Sequence, residues 1–186
     1  MKRTRNRTSH ANFNSVIPRR DESDLDILLE KTEEPFFLIL DSIQDPHNLG
    51  ACLRTANAAG CDAVIAPKNR AAGITDTVRH IACGAAEVTP FIQVTNLART
   101  LDTLRDHFVT LVGTGDEESQ PIYDVTMTGS LGLVMGAEGE GIRRLTAEKC
   151  DHLVAIPMWG SVDCLNVSVA TGICLFEAAR QRLTAA

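Results

Sequence analysis

Short apolar runs alternate with helical patterns along almost the whole of this chain, and that alternation leaves few folds open to it. The runs are FFLIL (36–40), DAVIA (62–66), VTPFIQV (88–94), VTLVG (109–113), LGLVMG (131–136) and HLVAIP (152–157). Between them lie NLGACLRTANAAG (48–60), TDTVRHIACGAA (75–86), NLARTLDTLRDHF (96–108) and GIRRLTAEKC (141–150), and a last helix follows. Runs of branched and aromatic residues without polar alternation are strands buried on both faces, and strands separated by helices pair in parallel. The expected fold class is α/β, a mostly parallel sheet with helices on both faces.

The last helix adds a constraint. It grows out of SVDCLNVSVATGICLFEAARQR, Ser161 to Arg182. A surface helix carries apolar residues on one stripe. Here Val167, Val169, Ala170, Ile173, Cys174, Leu175 and Phe176 surround the axis, so this helix must be covered on more than one side.

At 186 residues and 44% apolar composition, the chain is expected to hold one sizeable domain, residues 35–186, preceded by a basic arm or linker over 1–34. The arm includes SDLDILLEK (23–31), read as a short helix capped by Ser23. Residues 1–20 hold Lys2, Arg3, Arg5, Arg7, Arg19 and Arg20 and no acid, so the formal charge of −6 divides into +6 there and −12 over the remainder. Such an arm fits a nucleic-acid tether and an unstructured tail equally well. No stretch of about eighteen apolar residues and no secretory signal pattern is present, which predicts a cytoplasmic protein and no membrane partner. The six cysteines at 52, 61, 83, 150, 164 and 174 form no CxxC pair and no Cys/His cluster at zinc spacing, so neither a metal site nor a disulfide framework is expected. Most are read as small buried hydrophobes, with Cys164, in a polar loop, as the exception.

Parallel sheets place ligands beyond the carboxyl ends of their strands. Three segments follow strands and have unusual compositions. DPHNLGACLRTA places Asn48 where it fits a helix cap and Arg54 about two turns on, among the small residues Gly50, Ala51, Ala58 and Ala59. Taken alone, Asn48 reads equally as a cap and Arg54 as a solvated helix residue. GAEGEGI surrounds Glu138 and Glu140 with Gly136, Gly139 and Gly141, which permits close backbone approach to a ligand. Its GxxGxG spacing and late position are not those of a dinucleotide-binding turn, and no GxxxxGK[ST] occurs. The two acids suit a cationic or hydroxyl-bearing ligand, or helix capping. IPMWGSVDCLNVSVA presents Cys164, Asn166 and Ser168 at alternating positions, with Asn166 a reasonable N-cap and Ser168 a hydroxyl in the second turn.

Together, HNLGACLRTA, LVMGAEGEGIRRLT and IPMWGSVDCLNVSVATGICLFEAARQR resemble, in this order, the three motifs of the SpoU/TrmH family of RNA ribose 2′-O-methyltransferases, over roughly residues 35–182. The resemblance is strongest to members acting on a guanosine of 23S rRNA. It implies a C-terminal segment threaded into a deep trefoil knot, an exception to the unknotted rule, S-adenosyl-L-methionine as cofactor, RNA as substrate and a homodimer in which a second subunit covers the last helix. By position, Gly136, Ile156 and Leu165 are implied to meet the cofactor, with Thr114, Gly115 and Met158 as further candidates. Arg54, Asn48, Glu138 and Asn166 are implied to form the catalytic site, with residue 164 contributing a hydroxyl in relatives. This chain reads CLNVS where relatives read SLNVS, and the thiol of Cys164 is a weaker hydrogen-bond partner. Relatives of this type also carry a separate N-terminal RNA-binding domain, and here only about 34 residues precede the first strand. Two other readings are a tRNA ribose 2′-O-methyltransferase and a knotted RNA-binding or assembly protein that has lost catalysis.

Overall fold

The structure, a computed structural model, describes residues 22–116, 119–137, 139 and 141–185. The basic residues 2–20 lie outside them. In chain order the elements are α1 (Glu22–Lys31), β1 (Phe36–Leu40), α2 (Pro46–Ala59), β2 (Ala63–Pro67), α3 (Asp76–Ala82), α4 (Ala85–Val88), β3 (Phe91–Val94), α5 (Leu97–Asp106), β4 (Thr110–Thr114) and β5 (Gln120–Pro121). A 3₁₀ turn (Ile122–Asp124), β6 (Leu131–Met135), α6 (Arg144–Ala147), β7 (His152–Ala155) and α7 (Val167–Ala185) complete them.

The strands form one sheet in the order β3-β2-β1-β6-β4-β7-β5, and every pairing is parallel. Successive side chains of β1 point to opposite faces. Phe36, Leu38 and Leu40 join a core with Leu49 and Leu53 of α2 and Cys174 and Leu175 of α7. Phe37 and Ile39 join another with Leu25 of α1 and Leu101 and Leu104 of α5. Helices therefore cover both faces, as the unbroken apolar strands require.

Local chemistry explains where the elements depart from expectation. Ser23 lies inside α1 rather than capping it. The helix anticipated over 75–86 divides into α3 and α4 because Cys83 (φ 49) and Gly84 (φ 89) are left-handed. Residues 85–88 are helical, so the strand expected from 88 begins at Phe91. The helix expected over 141–150 shrinks to Arg144–Ala147, since Gly141 is left-handed (φ 65) and Arg143 is extended.

β5, two residues long, has no counterpart among the expected strands, and it changes the topology. Val154 of β7 pairs with Thr114 on one side and Gln120 on the other, so the chain leaves the sheet at β4 and rejoins it beyond β7. Gly115 and Ser119 stand close together on the Leu153 side: a Cβ at Gly115 would stand 2.1 Å from Ser119 Oγ and 3.3 Å from Leu153 Cβ. The return segment 122–130 runs on the Val154 side, where Ile122, Val125 and Met127 share the α7 core. α7 pins that segment. Met127 N donates to Gln181 Oε1 (2.8 Å), Gln181 Nε2 donates to Val125 O (3.0 Å), and Arg182 donates to Gly129 O.

The cysteines occupy the expected environments in part. Cys52 and Cys174 are buried, Cys61 and Cys150 half-buried, and Cys83 and Cys164 exposed. Burial pushes the Cys52 thiol up to about 11 and those of Cys61, Cys150 and Cys174 up to about 12, from an ordinary 9.0. The folded protein thus keeps protons that the unfolded chain releases above pH 9. The expected outcome is a stability unchanged by these groups below that pH and lost progressively as pH rises toward about 12, measured by thermal melts across the alkaline range. A thiol reagent is expected to modify Cys83 and Cys164 in the folded protein and the other four only after unfolding.

Candidate functional site

The carboxyl ends of β4, β6 and β7 open into one cavity of about 730 Å³. The three strand ends supply Thr114, Met135 and Val154, and the 136–142 turn and the 156–165 segment supply the walls. All six positions expected to meet a small molecule line it: Thr114, Gly115, Gly136, Ile156, Met158 and Leu165. Cys164 lines it too, and Asp116, Ser119 and Asp163 add polar groups that sequence reasoning missed. Their only sequence signal is a place after a strand.

The shape of the turn after β6 depends on Gly136. Ala137 and Gly141 exchange two backbone hydrogen bonds, of 3.1 and 2.9 Å, which folds the turn back on itself. A Cβ at Gly136 would stand 2.0 Å from the Gly141 carbonyl carbon and 2.2 Å from Ile142 N, so no side chain fits. Glu138, expected to be catalytic, and Glu140 lie outside the described residues.

The turn is tied to β1 by a pair that the motifs do not single out. Asp41, fully buried at the end of β1, accepts from Arg143 Nε (2.7 Å) and from Arg143 N (3.0 Å), and Arg143 Nη2 stands 2.6 Å from the same carboxylate. Ser42 Oγ also donates to it, at 3.2 Å. An acid directly after a wholly apolar strand is the signal that could have found it.

A second cluster forms where α2 meets α7. Asn166 Nδ2 donates to Asn48 Oδ1 (3.0 Å), and Asn166 Oδ1 accepts from Ser168 N (2.9 Å) and Ser168 Oγ (2.6 Å). Asn166 caps α7 as expected, and Ser168 belongs to its first turn rather than the second. Asn48 is not the cap of α2. Asp45 is, accepting from His47 N at 3.0 Å, because Pro46 takes the first helical position and the residue before it becomes the N-cap. That N–H holds the Asp45 carboxyl below its ordinary value. Asn48 is thereby left to meet Asn166.

Arg54 is not brought to this pair. Six residues on from Asn48, it is turned about 120° around α2, where its Nη1 donates to Cys83 Sγ at 3.5 Å. Asn48, Arg54 and Asn166 do not line the cavity. Among the described residues, no three His, Cys, Asp or Glu side chains are grouped to hold a metal ion, and no helix is long and apolar enough to cross a membrane.

The model of the SpoU rRNA Methylase family matches residues 35–176. The chain is 63% identical over 162 residues to the 23S rRNA (guanosine-2'-O-)-methyltransferase RlmB of Photobacterium profundum, covering 87% of this chain and 66% of that protein. It thus spans about two thirds of that relative's length. The crystal structure of the SpoU methyltransferase AviRb from Streptomyces viridochromogenes, in complex with the cofactor AdoMet, superposes with a TM-score of 0.79 at 28% identity, over 87% of this chain and 65% of that one. The A. aeolicus TrmH/SpoU tRNA modifying enzyme gives a TM-score of 0.74 at 30% identity, over 88% and 85%.

Arg143→Ala leaves the buried Asp41 carboxylate with one backbone N–H and one hydroxyl. Breaking a buried pair from one side is costly, and the expected loss is about 3 kcal/mol of stability, read from urea denaturation midpoints.

Proposed function

Because the chain belongs to the SpoU rRNA methylase family, we propose that it transfers a methyl group from S-adenosyl-L-methionine to the ribose 2′-hydroxyl of a guanosine in 23S ribosomal RNA. The observation that carries this reading is the family match over residues 35–176, which spans all three loops. Identity of 63% to a relative named for that reaction favours 23S rRNA over tRNA. A ribosomal substrate implies a cytoplasmic setting.

The cavity suits the cofactor. Its volume, about 730 Å³, falls within the roughly 300–1,000 Å³ common for small-molecule sites. Ile156, Met158 and Leu165 offer apolar surface for a flat ring, and Thr114, Asp116 and Asp163 offer polar contacts for hydroxyls and an ammonium group. When bound, the cofactor supplies a methyl group on a positively charged sulfur, ready for displacement by an oxygen nucleophile.

The residues of the chain then have to align the ribose and stabilise the oxygen as it loses its proton. Asn166, fixed by Asn48 and Ser168, is suited to orient the ribose beside the cavity. Arg54 is assigned to RNA phosphate as a fixed cation. A guanidinium holds its proton tightly and is a poor general base, and the position of Arg54 beside Cys83 supports phosphate binding over direct contact with the oxygen in the same protomer. Cys164 offers a thiol at the cavity wall, and Glu138 keeps the catalytic role that the resemblance implies.

Two architectural features belong to the same reading. A trefoil knot is supported by the placement of β7 between β4 and β5, with Ile122, Val125 and Met127 of the return segment packed on the face that carries α7. A homodimer is supported by an apolar stripe along α7, where Val169, Phe176 and Leu183 are 51%, 52% and 81% exposed at seven-residue spacing.

Three measurements test this reading. Calorimetry is expected to show one S-adenosyl-L-methionine bound per chain, whereas no binding would leave an inert RNA-binding protein. Radiolabelled methyl is expected to enter unmodified 23S rRNA and not bulk tRNA, and the reverse would move the substrate to tRNA. Arg54→Lys, which keeps the charge but loses the planar fork, is expected to lower kcat/KM for RNA about a hundredfold through misplacement of the substrate, with cofactor affinity unchanged.

A further inference from the structure

We propose that Trp159 is a stacking platform for an unpaired base of the RNA substrate, a positioning contact on the rim of the cavity that rests on the methyl-transfer reading of that cavity. Trp159 is the only tryptophan in the chain, and it is 89% exposed. An indole gains much from burial, so one held in water on a well-packed domain marks a contact surface.

Its position narrows the ligand. Met158 on one side and Asp163 and Cys164 on the other line the cavity, and residues 159–164 are all exposed. Trp159 therefore stands in an exposed stretch whose two ends are at the cavity wall. The space beside it is open: a Cβ at Gly160 would meet nothing within 4 Å. Val162, in the same stretch, is also 60% exposed.

Charge narrows it further. Outside the first 20 residues the chain holds 24 acidic against 12 basic residues, and Asp163 sits on the rim itself. A phosphate is repelled there, whereas the face of a base is not. Stacking on an aromatic side chain supplies affinity without regard to net charge and requires an unpaired base.

As the sole tryptophan, Trp159 reports on itself. In the cofactor-loaded protein its emission is expected to be that of an indole in water, open to acrylamide quenching, and to fall when an unmodified 23S rRNA fragment is added. Trp159→Ala is expected to raise the KM for RNA roughly ten- to a hundredfold, leaving kcat at saturating RNA and cofactor affinity near wild type, and Trp159→Phe to restore part of the lost affinity. Emission shielded from acrylamide in the absence of RNA and unmoved by RNA would mean that a second copy of the chain covers the ring, and would overturn the proposal. So would an unchanged KM in Trp159→Ala. An RNA-dependent quench in a wild-type protein that transfers no methyl would remove the enzyme reading and leave the platform standing.

Discussion

The hydrogen-bonded seat of β7 between β4 and β5 is the constraint on which the rest of the structure depends. Val112, Gly113 and Thr114 pair with one edge of β7, and Gln120 and Pro121 with the other. Val154 is paired on both sides, so the direction and height of the strand are fixed there from two neighbours. The segment leaving it, 156–165, is delivered against the turn after β6, and the cavity is the space between them. Small residues make the fit possible: a Cβ at Gly113 would stand 2.7 Å from Cys150 Sγ. Gly115 and Gly136 therefore serve the backbone as well as the cavity they line.

The opposite wall is held by charge. Asp41 ends β1 and Arg143 follows the 136–142 turn, 102 residues later. Their bond crosses from the sheet to a turn that the Ala137 and Gly141 pairing closes on itself. A buried carboxylate brings little net stability, but a geometry in which one oxygen meets Nε and the other meets the backbone N–H specifies a single placement.

Much of this was legible in the residues, for a physical reason. Apolar runs read as strands because a parallel sheet buried on both faces leaves no polar alternation to confuse them, and residues that follow such strands converge at one end. Thr114, Gly136 and Ile156 are far apart in sequence, yet they line one cavity. What escaped was governed by single backbone angles or by pairs distant in sequence. Cys83 broke a helix that periodicity ran through, Asp45 took the cap through the following proline, and β5 was too short to carry a pattern. Arg54 had the composition of a site residue, but its rotation about α2 became visible only once Asn48 had met Asn166.

The seat of β7 also sets an order of events on the ribosome. β4, β5 and the return to β6 leave the exit tunnel before the strand destined for the gap between the first two. Until then Thr114 and Gln120 have no common neighbour, and the face awaiting α7 stands open to water. A nascent chain therefore carries this open face from the emergence of β6 until α7 follows it, and that exposed interval is when chaperones have the most to protect.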